Sequence, residues 1–156
     1  MTKGCVYCNS PCLGKDKVLK MGSETIAFVV DDEKVIADTL AVILRIQGFA
    51  SFSFANPFEA LEAAGRRAPD LLISDVMMPQ LSGIELAIRI KEMCPSCMIL
   101  LFSGQAATQE LLIAAREQGH HFELLAKPVH PSDLLERIRT QTVLRLGSNA
   151  SLELVP

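Results

Sequence analysis

The chain has 156 residues, of which 49% are hydrophobic and 21% charged, with a formal net charge of −3. Such a composition supplies one ordinary domain with a packed core and excludes a disordered chain, while the negative balance argues against a nucleic-acid partner, whose phosphates call for a basic stripe. No run of about 18 apolar residues and no signal-peptide pattern in the first twenty residues are present, so no membrane partner is expected and the expected location is cytoplasmic.

Residues 1–22 are polar and without period, and read as an appended leader carrying Cys5, Cys8 and Cys12. Ile26 to Val30 is a short apolar run rich in β-formers, and Asp31-Asp32-Glu33 ends it with acids suited to a helix N-cap and first turn. Ile36, Leu40, Ile43 and Leu44 then form a helical stripe that Gly48 closes. Phe49 to Phe54 reads as a weaker strand with Phe52 and Phe54 in alternation. Asn56-Pro57 opens a second helix, running to Gly65, by capping and a first-turn proline. Leu71 to Ile73 is a third strand ended by Ser74-Asp75, and Ser82 to Glu85 has capping-box spacing ahead of a helix with Ile84, Ala87, Ile88 and Lys91. Met98 to Phe102 is a strand, 107–118 a helix ended by Gly119, and Phe122 to Ala126 a fifth strand. Pro131-Ser132-Asp133 opens the last helix, with Leu134, Leu135 and Ile138 inward. The pattern places one domain at 23–146 and a short tail at 147–156.

Alternating strands and helices of this length predict an α/β fold, a doubly wound five-stranded parallel sheet with helices on both faces. Ligands of such sheets sit beyond the carboxyl ends of the strands. The polar residues at those ends are Asp31 and Asp32, Asp75, Ser103 and Lys127. Two unit charges about 4 Å apart repel by roughly 4 kcal/mol at an effective dielectric near 20, so clustered carboxylates call for a cation. A small oxygen-lined site suits Mg²⁺. Acids, a cation, a lysine and a hydroxyl together suit phosphoryl transfer, with one carboxylate as the attacking group.

The blocks Asp31-Asp32, Ser74-Asp75-Val76-Met77-Met78-Pro79 with Gly83, Phe102-Ser103-Gly104 and Lys127-Pro128 resemble the response-regulator receiver family (CheY-like, of two-component signal transduction) in order and spacing over about 24–145. The resemblance implies a flavodoxin-like fold and a phosphorylation-dependent switch rather than an enzyme. It implies that Asp75 accepts a phosphoryl group from a histidine kinase or a histidine phosphotransfer protein. It further implies that Asp32, Asp75 and the Met77 carbonyl bind Mg²⁺ directly and Asp31 through water. Ser103 and Lys127 would contact the phosphoryl group, and the Lys127–Pro128 peptide would be cis. With few residues after 146, a single-domain type is expected, acting through a downstream protein that the sequence does not name or serving as a relay or phosphate sink.

One local departure stands out. The family places Tyr or Phe three residues before the lysine, where this chain has Leu124. The nearest aromatic is Phe122, and the stretch from Gly119 to Lys127 is one residue longer than usual. Either a bulge carries Phe122 toward the same pocket or the output face is read differently. His120 and His121, in the same stretch, read as an exposed loop pair.

Two rival classes compete with the switch. A haloacid-dehalogenase-like phosphatase needs a general acid two residues after the nucleophile, and that position is Met77. A redox or metal sensor would use Cys5, Cys8 and Cys12, whose spacing suits Zn²⁺ or an iron–sulfur cluster but lacks a fourth ligand within the leader. Cys94 and Cys97 lie elsewhere, and Cys97 is expected to act as a small buried hydrophobe. The total of five cysteines argues against a disulfide framework.

Overall fold

A computed structural model describes residues 25–104 and 108–150, with 143–150 as backbone only. The elements are β1 (Ile26–Val30), α1 (Lys34–Ile46), β2 (Ala50–Phe54), α2 (Pro57–Arg66), β3 (Leu71–Asp75), α3 (Gly83–Met93), β4 (Met98–Ser103), α4 (Thr108–Glu117), β5 (Glu123–Ala126) and α5 (Pro131–Ala150). The strands form one parallel sheet in the order β2-β1-β3-β4-β5. This is the expected doubly wound architecture, and its strand order reverses direction between β1 and β3.

The continuous apolar strands are explained by burial on both faces. Val29, Leu71, Ile73 and Leu100 pack with Leu40 and Leu44 of α1 and Leu134 and Ile138 of α5. Phe28, Leu72, Ile99 and Leu101 pack on the other face with residues of α2, α3 and α4. The helical stripes expected from periodicity supply these contacts, with Ile36, Ile43, Ile88 and Leu135 only partly buried. Phe52 is exposed because β2 is an edge strand, though its ring meets Phe28 edge-on at 6.1 Å.

Local signals act as their chemistry requires. Asn56 accepts from the Phe58 N–H at 2.9 Å. Ser82 and Glu85 form the reciprocal capping box. Gly48 and Gly119, at φ +95° and +89°, close α1 and α4 in the left-handed region. The acids before α1 supply its N-cap residue but no first-turn acid. That N-cap is Glu33, without a side-chain bond. The last helix continues past Gly147 to Ala150, where the sequence pattern alone had placed the start of a tail.

Candidate functional site

Parallel strands deliver their carboxyl-terminal residues to one edge of the sheet. Asp31 follows β1, Asp75 ends β3, Ser103 ends β4 and Lys127 follows β5, so residues spread over nearly a hundred positions share that edge. Asp31 and Asp75 flank the point where strand order reverses, the usual place for a crevice in an open α/β sheet.

Asp31 and Asp75 are 1% and 7% exposed, while Asp32 is open to solvent. One carboxylate oxygen from each of Asp31, Asp32 and Asp75 lies within 4.8 Å of the others. Lys127 Nζ stands 3.3 Å from Asp75 Oδ2 and 3.5 Å from Asp31 Oδ2. A single ammonium therefore serves two buried carboxylates, and the ionised triad keeps an excess of negative charge. Burial raises the Asp31 carboxyl above its ordinary range, opposed by the Glu33 N–H and by Lys127 and reinforced by Asp75. Burial pulls the Lys127 ammonium down, but Asp31 and Asp75 outweigh it and hold the lysine charged.

Asp31 shows why a cation fits. Its Oδ1 accepts from the Glu33 N–H at 2.9 Å, whereas its Oδ2 is buried without a hydrogen-bond donor. A buried acceptor left so is costly. A hard, oxygen-seeking divalent ion supplies a close partner, where Oδ2 has only the shared Lys127 ammonium 3.5 Å away, and the missing positive charge, so the donor set fits Mg²⁺. Met77, whose carbonyl was expected to complete the set, lies in the exposed loop after β3.

That loop is held close to the site by Gly83. Its N–H donates to the Val76 carbonyl at 2.9 Å, and a Cβ built on it would stand 2.0 Å from the Asp75 carbonyl oxygen. Lys127–Pro128 is cis, and the Lys127 N–H donates to the Ser103 carbonyl at 2.9 Å. Ser103 is buried, and its hydroxyl is hydrogen-bonded to that of Thr108, the first residue of α4. Sequence reasoning passed over Thr108, because a threonine at a helix start carries no signal beyond capping.

The Leu124 departure also resolves into geometry. The β4–β5 register runs unbroken from Leu100↔Glu123 to Ser103↔Ala126, so no bulge interrupts the strand. Phe122 sits just before β5, buried in the cluster that holds Leu112 and Ala115 of α4, with Leu124 packed against the same cluster. His120 stacks on Phe122 at 5.9 Å and His121 is exposed. Cys94 and Cys97 are buried in that core. Cys5, Cys8 and Cys12 lie outside the described residues. No helix among the described residues is long and apolar enough to cross a membrane.

The family model of the response regulator receiver domain matches residues 27–139. The chain belongs to that family. The receiver is 32% identical over 120 residues to the transcriptional regulatory protein CreB of Escherichia coli, covering 77% of this chain and 51% of that protein. It is 27% identical over 118 residues to the probable transcriptional regulatory protein TcrX of Mycobacterium tuberculosis, covering 76% and 50%. Its fold matches the crystal structure of a CheY-like receiver domain protein from Methanospirillum hungatei with a TM-score of 0.71 and 25% identity, over 81% of this chain and 99% of that one. The receiver thus spans about half the length of these curated relatives. Because the relatives include proteins named for transcription and DNA binding, the expectation of no nucleic-acid partner is not supported. Net charge speaks only for a module's own surface. As a receiver domain, the chain is a regulatory phosphoacceptor module of two-component systems with an acidic pocket suited to Mg²⁺.

Proposed function

We propose that Asp75 is the phosphoacceptor of a switch charged by a histidine kinase or a histidine phosphotransfer protein. The observation that carries this reading is the buried Asp75 carboxylate, 3.3 Å from Lys127 Nζ and clustered with Asp31 and Asp32. One Asp75 oxygen attacks the phosphorus of a phosphohistidine. The P–N bond breaks, its electron pair returns to the imidazole, and an acyl phosphate forms on Asp75. Lys127 neutralises a phosphoryl oxygen, a role suited to an ammonium already held between two carboxylates. Ser103 donates its hydroxyl proton to another. Asp32 and Asp75, with the Met77 carbonyl and with Asp31 through water, would hold Mg²⁺, which when bound would supply the remaining positive charge for the transferring group. Output passes to a further protein or to another part of a longer polypeptide.

The phosphatase alternative gains no support, since Met77 has no proton to give. Labelling with a small phosphodonor in Mg²⁺ tests the proposal. Wild type takes up one hydroxylamine-labile phosphoryl group, as an acyl phosphate requires, and Asp75→Asn takes up none. Persistent labelling of Asp75→Asn would move the acceptor elsewhere.

A further inference from the structure

We propose that Thr108 is a positioning residue through which Ser103 transmits the phosphorylation of Asp75 to α4. The proposal rests on the phosphoacceptor reading above and extends it to this chain's own relay. Leu124 offers no ring, and the nearest aromatic, Phe122, is already committed to the core that contains Leu112 and Ala115. An aromatic side chain at position 124 therefore cannot link Ser103 to the helix. The described residues do contain a direct link: the hydroxyls of Ser103, at the end of β4, and Thr108, at the start of α4, are hydrogen-bonded.

Each hydroxyl has one proton to donate. A phosphoryl oxygen on Asp75 is a charged acceptor and competes strongly for the Ser103 proton. Thr108 must then become the donor to Ser103 Oγ or lose this partner. It is 0% exposed, so solvent does not replace the lost bond, and an unsatisfied buried hydroxyl is unfavourable. Following Ser103 is the favourable course. The Thr108 hydroxyl sits one bond from Cβ, so a displacement that stays within one staggered χ1 well is passed to the backbone of the first turn. α4 is suited to respond: it buries only Thr108, Leu112 and Ala115, and leaves Leu111 and Ile113 exposed. Phosphate would thus favour one of two arrangements of this helix, and a preference for one state is all a switch requires.

The test uses the full chain with Mg²⁺ and beryllofluoride, followed by backbone amide shifts over 108–117, alongside phosphodonor labelling of Asp75. In wild type the first-turn amides of α4 shift on activation. Thr108→Val, nearly isosteric but without a hydroxyl, retains labelling and loses that shift. Thr108→Ser restores it. An undiminished α4 response in Thr108→Val overturns the proposal, as does failure of Thr108→Ser to rescue. Loss of labelling in folded Thr108→Val also overturns it, by placing the residue in the chemistry. Should the valine variant not fold, wild type decides: labelled protein whose α4 amides do not move refutes the relay. Wild type that takes no label at all refutes the phosphoacceptor reading itself, and the relay falls with it.

Discussion

Asp31, Gln80 and Gly83 each depart from what local stability favours. Asp31 is buried with an oxygen that accepts no hydrogen bond, and its burial opposes ionisation. Gln80, in the loop between β3 and α3, has φ +74°, a left-handed conformation that a side chain adopts at some cost. Gly83 has no room for a methyl group beside the Asp75 carbonyl. Such departures cluster where a site must be shaped rather than where a core must be filled. Gly83 gives the sharpest prediction. Gly83→Ala lowers stability by roughly 1–3 kcal/mol, because backbone, not a flexible side chain, must yield to the new Cβ. The same variant also slows labelling of Asp75, whose carbonyl bears the clash. Urea melts together with phosphodonor labelling check both; a variant as stable as wild type would contradict the backbone contact.

Helices and strands are joined by polar ties as well as by the apolar faces. Asp38 on α1 accepts from Ser53 of β2 at 2.5 Å and from Lys34 at 2.6 Å, binding the helix to the edge strand. Lys34 and then Ser53 hold the Asp38 carboxyl below its ordinary value of 3.8. A carboxyl depressed in the folded state favours folding above its unfolded pKa, and that contribution is lost as pH falls through the folded value. Asp38→Asn therefore melts slightly below wild type at pH 7, and the difference shrinks as the pH drops below about 4. The effect is small because the pair is solvent-exposed. Thermal melts at pH 7 and pH 3 decide it, and a deficit of the same size at both would remove Asp38 ionisation as the cause. At the carboxyl end of α3, Lys91 donates to the carbonyls of Pro95 and Cys97 at 3.1 and 2.7 Å, which secures the turn into β4.

The molecule as a whole is a sheet that gathers negative charge at one edge and holds it there with one lysine. An ion that binds this edge only in the folded chain must stabilise the fold, by about 2.7 kcal/mol at a hundredfold excess over its Kd. Mg²⁺ is expected to raise Tm by a few degrees, and a chelator to reverse the rise. Asp32 is exposed, so Asp32→Ala should melt near wild type in chelator yet lose most of the Mg²⁺-dependent rise. Differential scanning calorimetry with and without Mg²⁺ separates the two effects. An equal rise in both proteins would place the ion elsewhere.

Element order, fold class and the strand-end residues were legible in the chain because each follows from a local rule. Apolar runs mark strands buried on both faces, 3.6-residue stripes mark covering helices, and Asn56, Ser82 and Gly119 mark their ends. The acidic cluster was legible for the same reason, since the ends of parallel strands must share an edge. Other features depended on neighbours distant in sequence. Adjacent Asp31 and Asp32 look alike in the chain, yet one is buried against Lys127 and the other meets solvent. Phe122 reaches the core without a bulge because α4 offers it a place beside Leu112 and Ala115. Thr108 became visible only when the end of β4 and the start of α4 brought two hydroxyls together. Periodicity specifies which face a residue takes within its own element, but burial and hydrogen bonding depend on which other elements pack there, and that is decided by the folded chain.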